Sequence, residues 1–206
     1  MFNLKATVAG ALFLALTAAA QADTNFAADG TFSEGASAGA FSTVGAGGNI
    51  GAWNVTSGSV DLIGSYWTAP TGYSIDLDGS SPGAISQDLS LAAGGYLLTF
   101  SLAGNPDGGS VTKSVEVSID GVARDYTFNT AGKSKDSMGW VTESIWFTNT
   151  DATSTLSFTS KDAGGPYGAA LADISVTAVP EPESISLLLA GLGMVGVMAS
   201  RRKRSV

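Results

Sequence analysis

The chain has 206 residues, with 27 glycines, no cysteine, no histidine and a formal net charge of −8. The absence of cysteine and histidine excludes disulfides, thiolate or imidazole metal sites, and Ser-His or Cys-His nucleophile pairs. The high glycine content favours turns and short strands over helices.

The first 22 residues are predicted to be a signal peptide. Lys5 precedes an apolar stretch over residues 6–20, and Ala20 and Ala22 form the small-x-small pattern of a cleavage site. Cleavage there would leave Asp23 as the first residue of the exported protein. A buried N-terminal helix is the alternative, but this alanine-rich run lacks the polar face that such a helix needs.

Residues 23–179 are predicted to form one domain, because their number suits a single core better than two. They contain 16 acidic residues against five basic ones, a balance of −11. That charge argues against nucleic acid or an anionic membrane surface as a partner. It favours cations or neutral glycans.

Alternation of apolar and polar residues predicts short β-strands in this domain. The pattern runs through "YLLTFSLAG", "SVEVSI", "GWVTESIWFT", "STLSFTS" and "LADISVTAV". Turn-forming clusters such as "GNPDGGS" and "KDAGGPYG" separate these runs. The predicted fold is all-β, an antiparallel β-sandwich of the jelly-roll type.

Four aromatic residues are candidates for a sugar-binding site, because the CH faces of sugars stack on rings. Tyr66 and Trp67 adjoin the turn "TAPTGY", whereas Trp140 and Trp146 share the more polar face of one predicted strand. A tryptophan in a β-sandwich also serves as core filler, and this interpretation is favoured for Trp53.

The sequence "DLDG" at residues 76–79 resembles the start of a calcium loop. It lacks the further ligands of an EF-hand, so a turn capped by Asp78 is the favoured interpretation. Pairs of carboxylates such as Asp76 with Asp78, or Asp61 with Glu143, could in principle hydrolyse glycosides. No feature selects one pair among so many acids, and the protein is predicted not to be an enzyme.

The C-terminal segment combines three features in order. Pro180, Glu181 and Pro182 precede an uncharged run, and Arg201, Arg202, Lys203 and Arg204 follow it. The run predicts a membrane-spanning helix at about residues 184–200, short against the roughly 20 residues of a comfortable span. The basic cluster would stay cytoplasmic, so the helix would hold the precursor in the inner membrane.

This segment, residues 180–206, resembles the PEP-CTERM sorting signal, whose name motif matches Pro180-Glu181-Pro182. The resemblance implies processing by an exosortase, a membrane transpeptidase-like enzyme that cuts near the motif and delivers the domain to the cell surface or extracellular matrix. Glu181 is the residue that we expect the enzyme to recognise. A plain membrane anchor with a proline-rich stalk is the alternative.

The phrases "SGSVDLIGSYW", "SIDLDGSSPGAISQDLSL" and "GPYGAALADISVTAVPEP" resemble the choice-of-anchor C domain, a bacterial surface domain. That domain is similar to a plant cell-wall domain of unknown function and to galactose-binding-like jelly-roll modules. Such modules often hold a structural calcium ion between an early acidic segment and the last strand. The implied ligands here are Glu34 and Asp173.

The function expected from the sequence is that of an exported, non-catalytic surface protein that binds polysaccharide. A purely structural matrix or adhesion protein without a sugar site is the alternative, and a membrane-tethered glycoside hydrolase is a weaker one.

Overall fold

The computed structural model describes residues 24–34, 39–151, 153–179 and 189–195. The predicted cleavage residues Ala20 and Ala22, the motif Pro180-Glu181-Pro182 and the basic cluster 201–204 lie outside the described residues. Within the predicted membrane helix, residues 189–195 are helical. No helix in the described ranges has both the length and the apolar character needed to cross a membrane.

Twelve strands form the body of the described chain. Their bounds are β1 Phe41–Gly45, β2 Asn49–Ile50, β3 Trp53–Ser57, β4 Ser59–Ile63, β5 Ser74–Asp76, β6 Ala84–Leu89, β7 Gly94–Gly104, β8 Thr112–Ile119, β9 Val122–Asn129, β10 Val141–Asn149, β11 Ser154–Ser160 and β12 Ala169–Ala178.

The strands form two sheets of six, and neighbouring strands pair antiparallel. Sheet A has the order β1-β4-β5-β12-β7-β10, and sheet B has the order β2-β3-β6-β11-β8-β9. This arrangement confirms the predicted jelly-roll β-sandwich. The five predicted alternating runs correspond to β7, β8, β10, β11 and β12.

Aromatic side chains connect the two sheets across the core. The ring centroids of Phe100 on β7 and Phe158 on β11 are 5.3 Å apart, and those of Phe158 and Trp53 are 6.0 Å apart. Trp53 is fully buried, and its indole N–H donates to the carbonyl of Asp29 at 3.1 Å. Trp53 is therefore core, as the sequence predicts.

The inward face of β10 is buried except at its first position. Ile145 and Phe147 are buried, whereas Val141 on the same face is 41% exposed. Val141 is the first residue of β10, so it lies at the end of the sheet, beyond the cover of the core.

The N-terminal segment of the described domain is bonded to the last strand. The amide of Phe26 donates to the Val176 carbonyl at 2.8 Å, and the amide of Ile174 donates to the Gly30 carbonyl at 2.9 Å. The Asn25 side chain bonds the backbone of both Ile174 and Val176. A Cβ atom on Gly30 would lie 1.9 Å from the Ile174 carbonyl oxygen, so only glycine allows this approach.

We expect Gly30→Ala to lower the free energy of unfolding by about 2 kcal/mol or more, because the backbone of β12 blocks the new methyl group. Gly95→Ala is the matched control, since a Cβ on Gly95 would have nothing within 4 Å. Urea unfolding of both variants measures the difference. Equal stabilities of the two variants would contradict this close packing.

Candidate functional site

A cleft of about 410 Å³ lies on sheet A, over β1, β4 and β5. Its lining residues are Phe41, Thr43, Asp61, Ile63, Tyr66, Trp67, Asp76, Gly79, Ser80, Asn105, Pro166 and Tyr167. The volume falls within the range of about 300–1,000 Å³ that is usual for small-ligand sites.

Strand register places two carboxylates in the floor of this cleft. Asp61 on β4 pairs with Thr43 on one side and with Asp76 of β5 on the other. The neighbouring pair Leu62 and Ile75 points into the core. Because side chains alternate along a strand, Asp61 and Asp76 lie on the face of sheet A that points away from sheet B.

Asp61 is the carboxylate with an oxygen still available. It is 9% exposed, and its Oδ1 accepts a hydrogen bond from the Thr43 hydroxyl at 2.5 Å. Burial raises the pKa of Asp61, although the Thr43 hydroxyl opposes that rise. Its Oδ2 has no hydrogen-bond partner among the described residues, so it can accept a donor from a ligand.

Asp76, by contrast, is fully engaged by the protein. It is 1% exposed. Its Oδ1 accepts the amides of Asp78 and Gly168, each at 3.0 Å, and its Oδ2 accepts the Asn105 side chain at 2.7 Å. Burial raises the pKa of Asp76 to about 8 against the opposing effect of these three donors. The carboxylate therefore fixes the loops at Asn105 and Gly168, which form one wall of the cleft.

The turn at "DLDG" is present, but Asp76 supplies its cap, because Asp76 accepts the Asp78 amide. The predicted capping residue, Asp78, is instead buried, and neither of its carboxylate oxygens has a partner among the described residues. A Cβ on Gly168 would lie 2.6 Å from the carboxyl carbon of Asp78. Burial raises the pKa of Asp78 to about 6.

Lys113 fixes the same wall from behind. It is 1% exposed, and its Nζ donates to the carbonyls of Gly108, at 2.7 Å, and Tyr167. Burial lowers the pKa of Lys113, while Asp162, Asp76 and Asp78 act in the opposite direction. The loops that carry Gly108 and Tyr167 are therefore held by a buried ammonium as well as by the Asp76 carboxylate.

Aromatic rings form the rim of the cleft. Phe41 is 46% exposed and Tyr167 is 37% exposed. The rings of Phe41 and Tyr66 meet edge to face at 5.3 Å. The Tyr66 hydroxyl donates to Asp107 at 2.6 Å, which holds this ring in place.

Lys135 completes this side of the rim. Its Nζ lies 2.9 Å from the Asp107 carboxylate and 3.8 Å from the centre of the Tyr66 ring. An ammonium group thus already occupies the space between a ring and a carboxylate at the cleft edge.

The structure brings two of the four predicted sugar-binding aromatics into the cleft. Tyr66 lies at the rim, while Trp67 is 4% exposed and its indole N–H donates to the Ser74 hydroxyl at 2.8 Å. Trp140 and Trp146 do not line the cleft. Trp140 donates to the Thr68 carbonyl at 2.8 Å and packs against the core, and Trp146 is 59% exposed on β10.

Sequence reasoning did not place Phe41, Tyr167 and Asn105 in a cleft, although all three line it. The phrase "KDAGGPYG" was interpreted only as a turn, although it contains Tyr167. The strand pairing of β1 with β4 brings Phe41 to the cleft, and no local sequence pattern indicates this.

The two predicted calcium ligands have different neighbours. The amide of Glu34 donates to Asp29 at 3.1 Å, whereas the Asp173 carboxylate contacts the hydroxyls of Thr71 and Ser101. Asp173 has a positive φ of 48° at a bulge in β12. In the described part of the chain, no three or more Asp or Glu side chains are grouped to hold a metal ion. Calcium binding by Glu34 and Asp173 stays a prediction.

Comparison with protein families decides the affiliation of the domain. Residues 25–177 match the family described as "Protein of unknown function (DUF642)". The chain belongs to this DUF642 family. Residues 178–203 match the PEP-CTERM protein-sorting motif, which confirms the resemblance seen in the sequence. The motif marks this DUF642 protein for export and for exosortase-dependent sorting to the cell surface.

The chain is also similar to part of a much larger protein, Halomucin of Haloquadratum walsbyi. The identity is 34% over 138 residues, which cover 65% of this chain and 1% of Halomucin. The chain thus spans only a small fraction of that relative.

Solved structures with a similar outline include TmCBM61 in complex with β-1,4-galactotriose, with a TM-score of 0.46 and 17% identity over 76% of this chain and 99% of that one. A family 35 carbohydrate-binding module from Clostridium thermocellum has a TM-score of 0.46 and 13% identity over 67% of this chain and 99% of the module. The jelly-roll assignment of this chain rests on its own strand pairings.

The buried carboxyls give the domain a predictable dependence of stability on pH. Asp76 and Asp78 have a higher pKa in the folded chain than the ordinary value of 3.8, so the folded state binds protons more tightly than the unfolded state. Stability is then greatest below about pH 4 for these groups and declines as the pH rises through about 6 and 8. Urea unfolding should give a free energy lower at about pH 9 than at about pH 5 by roughly 1–3 kcal/mol.

Asp78→Asn should flatten this dependence, because it removes one of the two groups. Asp88→Asn serves as its control, since Asp88 is exposed on β6. An unfolding free energy that rises from about pH 5 to about pH 9 would show that the buried carboxyls do not govern stability.

Proposed function

We propose that this protein is an exosortase-sorted surface protein whose β-sandwich binds polysaccharide at the sheet A cleft without catalysing a reaction. The observation that carries the proposal is the combination of exposed rings at the rim with a polar floor. Phe41, Tyr66 and Tyr167 offer faces or edges to a ligand, and Asp61 offers a free carboxylate oxygen.

This combination matches the chemistry of a sugar. The CH faces of a pyranose pack on aromatic rings, while its hydroxyl groups need acceptors and donors at fixed positions. The loops that carry Asn105 and Tyr167 are held from below by Asp76 and Lys113. A wall that is fixed before binding lowers the entropy cost of association.

The two carboxylates of the floor also argue against glycoside hydrolysis. Asp61 and Asp76 are directly opposite on neighbouring strands, where a retaining pair of carboxylates could stand. However, both oxygens of Asp76 already accept protein donors, and the side chain is 1% exposed. Asp76 can therefore neither attack a sugar nor exchange a proton with it.

The sorting motif follows the domain without a long linker. Strand β12 ends at Ala178, and the amide of Val179 donates to the Gly95 carbonyl at 2.8 Å. Domain bounds of 1–22 for the signal peptide, 23–179 for the β-sandwich and 180–206 for the sorting signal belong to this proposal. Cleavage near Pro180-Glu181-Pro182 would release the β-sandwich with its last strand whole.

Glycan arrays probed with the full chain in mild detergent test the binding proposal. Tyr167→Ala and Phe41→Ala should each weaken binding by about threefold to tenfold, because each removes one exposed stacking ring. Trp146→Ala is the matched control, since its ring is more exposed but lies outside the cleft lining.

If Trp146→Ala lost binding while the two cleft variants still bound normally, the binding site would lie on β10 and not in the cleft. Absence of binding to every glycan would refute the sugar-binding proposal and favour a purely structural matrix protein.

Mass spectrometry of the protein recovered from the cell surface tests the sorting proposal. We expect a C-terminus between Pro180 and Glu183, because the exosortase is expected to recognise the Pro180-Glu181-Pro182 motif. Replacement of residues 180–182 by alanine should leave the uncut precursor in the membrane. A natural surface form that is intact to Val206 would contradict cleavage.

A further inference from the structure

The floor of the cleft carries a negative charge that the described part of the protein does not pair. Asp61 accepts only the neutral Thr43 hydroxyl, and the two ion pairs found among the described residues involve neither Asp61 nor Asp76. Lys135 pairs with Asp107 at the rim, and Lys113 donates to backbone carbonyls behind the wall.

One carboxylate oxygen of Asp61 receives no hydrogen bond from the described part of the protein. It is more than nine-tenths buried, yet it lines the cleft, and its Oδ2 has no partner among the described residues. A buried carboxylate is costly unless it is hydrogen-bonded and its charge is compensated. A cationic donor that enters the cleft would satisfy both needs, whereas a neutral hydroxyl would satisfy only the first.

The aromatic rim favours the same kind of ligand. Ring faces attract ammonium groups as well as the CH groups of sugars. Lys135 shows this chemistry within the protein itself, because its ammonium lies over the Tyr66 ring and against the Asp107 carboxylate. Inside the cleft, Asp61 lies among Phe41, Tyr66 and Tyr167 without a corresponding cation.

We infer that the cleft selects cationic sugars, namely hexosamine units with a free, protonated amino group, whose ammonium bonds Asp61 while the ring packs against the aromatic rim. This inference rests on the proposed function and specifies its ligand class. Uronic acid polymers are disfavoured, because their carboxylates would meet Asp61 and a domain with a charge balance of −11 over residues 23–179.

Calorimetric titration of the full chain in mild detergent tests the inference with four probes. They are a short glucosamine oligomer, its fully N-acetylated form, a glucose oligomer of the same length and a galacturonic acid oligomer. We expect the glucosamine oligomer to bind at least about tenfold more tightly than the other three, since a charge-assisted hydrogen bond is stronger than a neutral one. This preference should shrink as salt is added.

Asp61→Asn should abolish the preference for the glucosamine oligomer, so that this variant binds the glucosamine and glucose oligomers with affinities within about twofold of each other. Asp88→Asn is the matched control, because Asp88 also accepts a threonine hydroxyl, from Thr155 at 2.6 Å, but lies exposed on sheet B. Thr43→Ala keeps the Asp61 charge and should keep the preference, so it separates charge from local packing.

Equal affinity for the amino, N-acetylated and glucose oligomers would overturn the inference and leave the sugar-binding proposal standing. Tighter binding of the galacturonic acid oligomer, with or without added calcium, would also overturn it. An unchanged preference in Asp61→Asn, in a variant that unfolds as the parent does, would exclude Asp61 as the selecting group. Absence of detectable binding to all four oligomers and to every glycan on the arrays would refute sugar binding itself.

Discussion

The carboxylate of Asp76 is the interaction on which the cleft depends. It joins β5 to two loops that are distant in sequence, through the Asn105 side chain and the Gly168 amide. A buried group of this kind is stabilised only if its donors are all in place. The three donors, the strand and the cleft wall are therefore one cooperative unit.

Lys113 complements Asp76 in the groups that it binds. The carboxylate accepts N–H groups of the two loops, while the ammonium donates to their carbonyls at Gly108 and Tyr167. Two buried ionisable groups, one acidic and one basic, thus organise the same backbone without forming an ion pair with each other. This arrangement leaves Asp61, on the neighbouring strand β4, as the carboxylate of the cleft lining that has an oxygen available to a ligand.

Much of the fold could be predicted because one face of each long strand packs on the core. Burial alternates along all of β8 and along the first half of β7, and the inward residues Val117 and Phe100 are fully buried. Strand β4 was not predicted from alternation, because all five of its residues are buried and burial therefore does not alternate along it. Strand β1 was not predicted either, because nearly all of its residues are exposed and no buried face stands out.

The site was less predictable than the fold, because it is built from strand register and loop contacts. The aromatic pair Tyr66 and Trp67 stands out in the sequence, but Trp67 turns out to be nearly buried. Asp61 and Asp76 are opposite each other only because β4 pairs with β5 in one register. The sequence offered too many carboxylates to select that pair.

The position of β12 has a mechanical consequence when a force is applied at the C-terminal end of the domain. This strand leads directly into the sorting motif, yet it lies inside sheet A, paired with β5 on one side and β7 on the other. Hydrogen bonds between antiparallel strands run perpendicular to the strand axis, so tension along β12 would shear many of them at once instead of opening them one by one. The domain therefore resists unfolding by a force that is applied at its C-terminal end.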